Sequence, residues 1–477
     1  MLFNSLSFLL FFPVVTILYF TIPHSIRWLL LLVASCFFYM FFKPIYILIL
    51  FFTIIIDYFA GIYIEKEQNS KKRKKYLIAS IVANIGVLAV FKYFNFLNSN
   101  IDGLATVMGF KNHITYLHIL LPIGLSFHTF QAMSYTIEVY KKNQKAETHF
   151  GIYALYVMYY PQLVAGPIER PQNVLHQFKE KHYFNYERTI DGLKLIAFGL
   201  FKKIVIADRL ALCANEVFNN VHYYQGGPLI LGVLFFTFQI YCDFSGYSDI
   251  ARGCSRVMGI ELMKNFNAPY LSTSIKEFWS RWHISLSTWF RDYLYIPLGG
   301  NRGGKLKSYS NIFIVFLVSG LWHGANWTFV VWGFIHGFFN VLGLYFKNFV
   351  HFKKSSFGFL NKLNSFFSWA VTIFIVSLAW IFFRANTFDD ALYVFKNIYK
   401  IDFQHIISIP IFSYFYYISS VFFIVLLISF EYLYEKKVIK NNMFNKPIVA
   451  FSFFCIMFLL IYIFGIFEKQ SFIYFQF

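Results

Sequence analysis

Residues 319–329 read SGLWHGANWTF, inside an apolar run from Asn311 to about Phe346. A stretch of roughly 20 apolar residues is long enough to cross a bilayer as a helix. Backbone groups inside lipid must be satisfied within the segment, which favours helices over strands. Yet His323 stands in the middle of the run, between Trp322 and Gly324, and Asn326 follows three residues later. Ionisable groups at membrane depth are costly and face a bundle interior, a cavity or a partner. The stretch therefore predicts a helix that belongs to a bundle with a polar interior.

The whole chain supports that reading. Hydrophobic types make up 58% of its 477 residues and charged types only 14%. A soluble domain carries about 25% charged residues. The net charge of +19 would suggest nucleic acid in a soluble protein. In a membrane chain, basic residues collect in cytoplasmic loops and fix topology, so no nucleic-acid partner is expected and membrane lipid is the surrounding medium. The five cysteines form no C-x-x-C pair, which gives neither a disulfide framework nor a zinc signature. No metal is expected. The first apolar run, Ser5 to Thr21, lacks a basic lead and a small-residue cleavage site, so it reads as a retained segment.

The expected fold is an all-α polytopic membrane bundle of about eleven to thirteen segments. Their cores are 5–22, 26–42, 44–63, 76–96, 118–140, 150–165, 190–208, 228–250, 311–330, 331–347, 364–383, 411–431 and 447–466, some of them re-entrant or interfacial. KKRKK (71–75) and KKNQK (141–145) mark cytoplasmic loops, and the loop 97–117 between them is then external. No internal repeat is visible, which weakens a transporter built on inverted repeats. The centre, about 160–304, is richer in polar residues, Gly and Pro. Such backbone is tolerated at membrane depth only where it is buried or lines a cavity, so the centre points to a chamber.

Four features carry candidate chemistry. At helical spacing, Ile275, Phe278, Trp279, Trp282, Leu286 and Trp289 form an apolar stripe, with Ser280, His283, Ser287 and Arg291 on another face. This reads as one amphipathic helix over 274–292 with His283 solvated. Asp243, Asp249 and Arg252 lie in or beside an apolar span, and Asp249 and Arg252 are spaced to pair on one helix face. Structural ion pairing is favoured there over direct catalysis. GGNRGGK (299–305) approaches a phosphate-binding loop, but Leu306 stands where Ser or Thr should hold magnesium. An ATPase is rejected, and an ordinary cytoplasmic turn is preferred to a contact with donor phosphates. Finally, Gly320, Gly324 and Ala325 leave space beside His323, and Asn326 lies one turn away. A neutral imidazole in a dry cavity is a proton acceptor near neutral pH. On spacing alone His323 stays open between core packing and catalysis, while His336, with no polar cluster about it, serves packing.

The motifs RWHISLSTWFRDYLYIPLGGNR (281–302) and LWHGANWTFVVWGFIHG (321–337) resemble the membrane-bound O-acyltransferase family, in its bacterial branch typified by the alginate O-acetylation membrane protein. PIGLSFHTFQAMSYTIEVY (122–140), YYPQLVAGPIERP (159–171), FQIYCDFSGYSDIARG (238–253) and AWIFFRANTFDDAL (379–392) are similar to the same branch. The resemblance implies helices around a central tunnel, in one integral membrane domain over 1–477. Its parts would be N-terminal helices at 1–150, a catalytic core with re-entrant and amphipathic segments at 151–345, and C-terminal helices at 346–477. It implies that His323 is the catalytic residue and His283 the second histidine on which transfer relies. Trp322, Asn326, Asp243, Ser245, Arg281 and Arg302 are the further candidates for contact with donor or acceptor.

The implied reaction moves an acetyl group from a cytoplasmic thioester, most simply acetyl-CoA, to a hydroxyl of an extracytoplasmic polysaccharide. Transfer would be direct or through an SGNH-type acetyltransferase partner, at a bacterial inner membrane. The D-alanyl transferase of teichoic acid synthesis is the alternative within the family. A glycan-precursor flippase, or a scaffold that only recruits an enzyme, are the alternatives outside it.

Overall fold

The computed structural model describes residues 1–117, 121–349, 358–401, 409, 412–439, 443, 446–467 and 472–475. Every regular element among them is helical. In chain order the α-helices are α1 (Leu6–Thr21), α2 (His24–Met40), α3 (Ile47–Lys66), α4 (Ser70–Leu88), α5 (Phe94–Val107), α6 (Leu125–Tyr140) and α7 (Phe150–Met158). Two single turns follow, α8 (Tyr160–Leu163) and α9 (Pro171–Val174), then α10 (Tyr186–Leu200), α11 (Asp208–Asn219) and the long α12 (Gly227–Met258). The remainder are α13 (Ile275–Arg281), α14 (Ile284–Phe290), α15 (Lys305–His323), α16 (Trp327–Phe349), α17 (Gly358–Arg384), α18 (Phe388–Asn397), α19 (Tyr414–Glu435) and α20 (Pro447–Phe464).

Among the described residues, seven helices are long and apolar enough to cross a membrane, and α1 and α2 are shorter apolar helices. The other expected segments are short or interrupted. Segment 118–140 is reduced to the 16-residue α6, which starts after Gly124 in a left-handed conformation; residues 118–120 and residue 411 of segment 411–431 lie outside the described residues. Segment 190–208 passes from α10 into a π-helical stretch at Phe201–Ala207.

The residues group into two compact units. One comprises Met1–Ile196 with Tyr247–Met263, the other Ala197–Gly246 with Lys264–Phe477. In the first, α3, α4 and α6 are tied by buried polar groups. Ser80 and Asn84 donate to the Asp57 carboxylate at 2.6 Å and 2.9 Å, and Ser80 also lies 3.0 Å from the Thr136 hydroxyl. Such a carboxylate is tolerated only because several donors meet it. α6 is buried nearly all round, as a helix at the centre of a bundle must be. KKRKK, expected as a loop, forms the start of α4, and its Arg73 donates to the carbonyls of Ile64 and Tyr140, which fixes the C-terminal ends of α3 and α6 to it. The Asp249–Arg252 pair forms as expected, at 3.5 Å.

The second unit corrects three expectations. The stretch 274–292 is two short helices, not one, because the chain breaks at Trp282–His283. His283 takes a left-handed φ of 43°. The 2.9 Å bond from Ile284 N–H to the Asn265 carbonyl, and the bonds from the Ser285 N–H and hydroxyl to the Asn265 side chain at 3.1 and 2.9 Å, hold that break. A left-handed residue with a side chain costs about 1–2 kcal/mol, so these bonds over-determine a strained corner. The boundary expected at 330/331 lies at 324–326, where α15 ends at His323 and α16 begins at Trp327. The glycines beside His323 do not leave open space. A Cβ on Gly324 would collide with the Phe329 ring, and one on Gly320 with the Phe329 carbonyl. They let α15 and α16 approach backbone to backbone, the use of small residues in membrane helix pairs.

Candidate active site

The corner at His283 and the end of α15 at His323 lie in the same unit, and both rings are buried. His283 is 0% exposed and His323 4%, so the solvated setting expected for His283 is overturned. The left-handed turn is the cause, because it swings the imidazole off the outer face of a continuous helix.

Aromatic rings connect the two. Trp322 lies 4.9 Å from the His323 ring and 6.2 Å from the His283 ring, centroid to centroid. His323 also meets Trp332 edge-on at 4.9 Å, Phe383 at 5.4 Å and Tyr474 at 5.8 Å. His283 meets Phe244 at 4.6 Å, and Phe244 meets Tyr474 at 4.5 Å. Thus Trp322 links the histidines on one side, and Phe244 with Tyr474 on the other. The aromatic rings bury both imidazoles, and electrostatic interactions are strengthened where water is kept out.

Tyr474 is placed by an ion cluster. Asp243 accepts the Ile473 backbone N–H at 2.8 Å with one oxygen, and its other oxygen lies 2.7 Å from the Lys203 ammonium. Lys203 is also 2.8 Å from Asp208. All three charged side chains are buried. The pairing expected to be structural for Asp243 therefore exists, but with Lys203 and the turn Ile473–Phe475. Sequence reasoning missed Lys203, Asp208 and Tyr474. Lys203 and Asp208 carried a signal, as charges in or at the end of an apolar segment. Tyr474 is one of 34 tyrosines and carried none.

The remaining candidates divide. Ser245 is buried beside Phe244. Asn326 caps α16, its side-chain oxygen accepting the Thr328 N–H at 3.1 Å. Arg281 donates to Glu435 at 2.8 and 3.0 Å and to Glu277 at 2.8 Å, tying α13 to the end of α19. The Glu435 hydrogen bond holds its guanidinium pKa above the ordinary value. Arg302 is exposed in the glycine-rich turn, which Asn311 braces through the Gly300 carbonyl at 2.9 Å. His336, expected to serve packing alone, is fully buried and accepts a hydrogen bond from the Trp279 indole at 3.2 Å. Among the described residues no cluster of three or more metal-ligating side chains occurs.

Comparison with known proteins follows this geometry. The family model described as the membrane-bound O-acyltransferase family matches residues 148–387, a span that contains both histidines. The chain is 37% identical over 396 residues to a peptidoglycan O-acetyltransferase of Helicobacter pylori, covering 78% of this chain and 73% of that protein. It is 38% identical over 406 residues to a probable alginate O-acetylase of Pseudomonas aeruginosa, covering 84% and 75%. A teichoic acid D-alanyltransferase of Streptococcus thermophilus is 32% identical over 232 residues, covering only 45% and 55%. By its matched core, and by the similarity of the two O-acetyltransferases over about four-fifths of its length, the chain belongs to the membrane-bound O-acyltransferase family and is a multi-pass membrane acyltransferase.

Proposed function

We propose that the protein moves an acetyl group from a cytoplasmic thioester, acetyl-CoA, to a hydroxyl of an extracytoplasmic polysaccharide, directly or through an SGNH-type partner protein, at a bacterial inner membrane. The observation that carries this reading is the pair of buried histidines joined through Trp322 in one aromatic enclosure. The breadth of similarity to O-acetyltransferases, against half-length similarity to D-alanyltransferases, supports acetyl over D-alanyl as the group moved.

In this reading His323 accepts the proton of the acceptor hydroxyl as its oxygen attacks the thioester carbonyl. The new C–O bond forms, the C–S bond breaks, and the proton passes from the imidazole to the departing thiolate. A thiol pKa of about 8.5 makes the sulfur a ready leaving group, so one base suffices. General-base help of this kind contributes about 10²–10⁴ in rate. His283 positions the reacting groups or donates a hydrogen bond to the carbonyl oxygen as charge develops there. Trp322 fixes the separation of the two rings. The basic residues around 302–307 and 347–362 set the starts of α15 and α17 on the cytoplasmic side, so that the donor enters there.

Transfer of radiolabelled acetyl from acetyl-CoA by the purified, reconstituted protein tests the reading. The wild type should release CoA and label the acceptor or its partner protein, whereas His323→Ala should be inert but folded, and His283→Ala severely impaired. Retained transfer by His323→Ala sinks the assignment. A D-alanyl carrier protein as the sole productive donor would establish the alternative chemistry, and no acyl transfer at all would favour a flippase.

A further inference from the structure

One face of α16 carries polar groups that the rest of the unit does not answer. Thr328, Trp332, His336 and Asn340 recur every fourth residue and so share one side of the helix. All four are buried, and Thr328, Trp332 and His336 are at most 1% exposed. The Thr328 hydroxyl, the Trp332 indole N–H and His336 Nε2 meet no hydrogen-bond partner among the described residues. Buried polar groups are nearly always satisfied, so a run of orphans along one apolar helix needs a reason.

The donor character of the row follows from its neighbours. Trp279 is a donor only, and its indole nitrogen lies 3.2 Å from His336 Nδ1. Nδ1 therefore accepts, which leaves the proton of the neutral ring on Nε2. His336 Nε2–H and the Trp332 N–H are then donors, and the Thr328 hydroxyl both donates and accepts. A row of neutral donors suits a neutral chain with acceptors along it rather than an ion.

Position ties the row to the histidine of the site. The Trp332 ring lies 4.9 Å from the His323 ring and 4.9 Å from the His336 ring. Each step of four residues advances about 6 Å along the helix, so Thr328 to His336 spans about 12 Å. The row runs from the His323 end of α16 towards its C-terminal end, which Lys347 and the basic residues after it assign to the cytoplasm. A thioester that enters from that side lays its tail along this face when its acyl group reaches His323. In CoA and in carrier proteins alike, that tail is a pantetheine arm. It is a neutral chain whose two amides flank a β-alanyl unit and stand about 5 Å apart when extended, close to one step of the row.

We propose that this face of α16 binds the pantetheine arm of the acyl donor. The His336 and Trp332 N–H groups donate to the amide carbonyls, and the Thr328 hydroxyl meets the thioester end. The inference rests on the reading that the donor is a cytoplasmic thioester. It names the part of that donor which is recognised, the arm common to CoA and carrier-protein thioesters rather than the nucleotide.

Binding, rather than turnover, tests it. In S-acetonylpantetheine a methylene separates the sulfur from the carbonyl, so no acyl group leaves. This probe is titrated against the full-length protein in nanodiscs, beside S-acetonyl-CoA and an S-acetonyl-pantetheinyl carrier protein. The wild type should bind the bare arm, and the tighter of the other two probes identifies the arm's source. Thr328→Val and His336→Phe should each weaken binding of the arm by roughly five- to ten-fold. Thr328→Val also deletes an orphan hydroxyl with little change of shape, so the ligand-free variant should melt no lower than wild type. A merely structural hydroxyl predicts the reverse, a lower melt with unchanged affinity. No binding of S-acetonylpantetheine by the wild type, undiminished affinity in a monodisperse Thr328→Val protein, or a lower melt of that variant overturns the proposal. A wild type that binds the arm through these residues but moves an acyl group other than acetyl overturns the acetyl-transfer reading and leaves this one standing. Acetyl transfer from acetyl-CoA, with arm affinity unchanged in both variants, does the converse.

Discussion

Replacing Gly320 by alanine tests whether close helix approach positions the His323 ring. A Cβ on Gly320 would stand 2.3 Å from the Phe329 carbonyl oxygen and 3.4 Å from the Gly333 Cα. Reciprocally, a Cβ on Gly333 would stand 2.3 Å from the Phe316 carbonyl oxygen. Ordinary contact begins near 3.4 Å, so α15 and α16 must part by about 1.1 Å. The obstacle is backbone, which cannot rotate aside as a side chain can. Overpacking of this kind costs about 1–3 kcal/mol. The intrinsic helix preference of alanine returns about 1 kcal/mol, leaving a net loss of roughly 0–2 kcal/mol. The effect on turnover should be larger. Trp332, next to Gly333, walls the His323 ring, and a displacement of about 1 Å costs on the order of 10²-fold in rate. Thermal melting in nanodiscs and acetyl transfer by the same preparation measure the two effects. Because both glycines relieve one contact, the Gly320→Ala/Gly333→Ala protein should be less impaired than the two single effects together. If Gly320→Ala melts higher than wild type and turns over normally, close approach is not what places the ring.

Further substitutions probe the supports of the site. Asp243→Ala leaves Lys203 partly unpaired and frees the Ile473 N–H, so it should cost about 3–5 kcal/mol in stability, seen as a lowered melting temperature; an unchanged melt refutes the role of the cluster. Asn265→Ala removes both side-chain bonds to Ser285 and should cost about 1–3 kcal/mol with a fall in transfer, whereas Asn265→Asp, which keeps an acceptor, should recover much of it. Tyr474→Ala opens one wall beside His323 and should lower turnover by about ten-fold or more, a result that normal kinetics would contradict. Arg281→Gln disturbs a half-exposed ion pair and should change stability by no more than about 1 kcal/mol; a collapse of the melting transition would show that this pair holds α13 in place.

The fold class was legible because lipid imposes it. A chain with so few charges and so many long apolar runs has helices as its economical solution, and α3, α12, α17, α19 and α20 fall where apolar length put them. The WHG and RWH segments were legible as motifs, and both rings prove buried in one unit. What periodicity misjudged was His283. A stripe counted at 3.6 residues presumes unbroken helix, and the Asn265 bonds that break it come from a residue 20 positions away in Ser285 terms. The glycines at 320 and 324 were read as space because sequence shows a missing side chain but not the neighbour that fills its place. Tyr474 lay beyond reach for the same reason, since only the fold brings the chain back to Asp243.

That return has a consequence for biosynthesis. The bond from Ile473 to Asp243 joins positions 230 residues apart. Helices enter the membrane in the order of their synthesis, so Lys203, Asp208 and Asp243 are in lipid long before the segment that completes them exists. Contacts of such separation form late. Until then one oxygen of Asp243 lacks the Ile473 N–H, and the wall that Tyr474 supplies is missing from His323. The nascent acyltransferase thus passes through an inserted but unfinished state, in which His323 lacks one side of its enclosure until the turn Ile473–Phe475 docks.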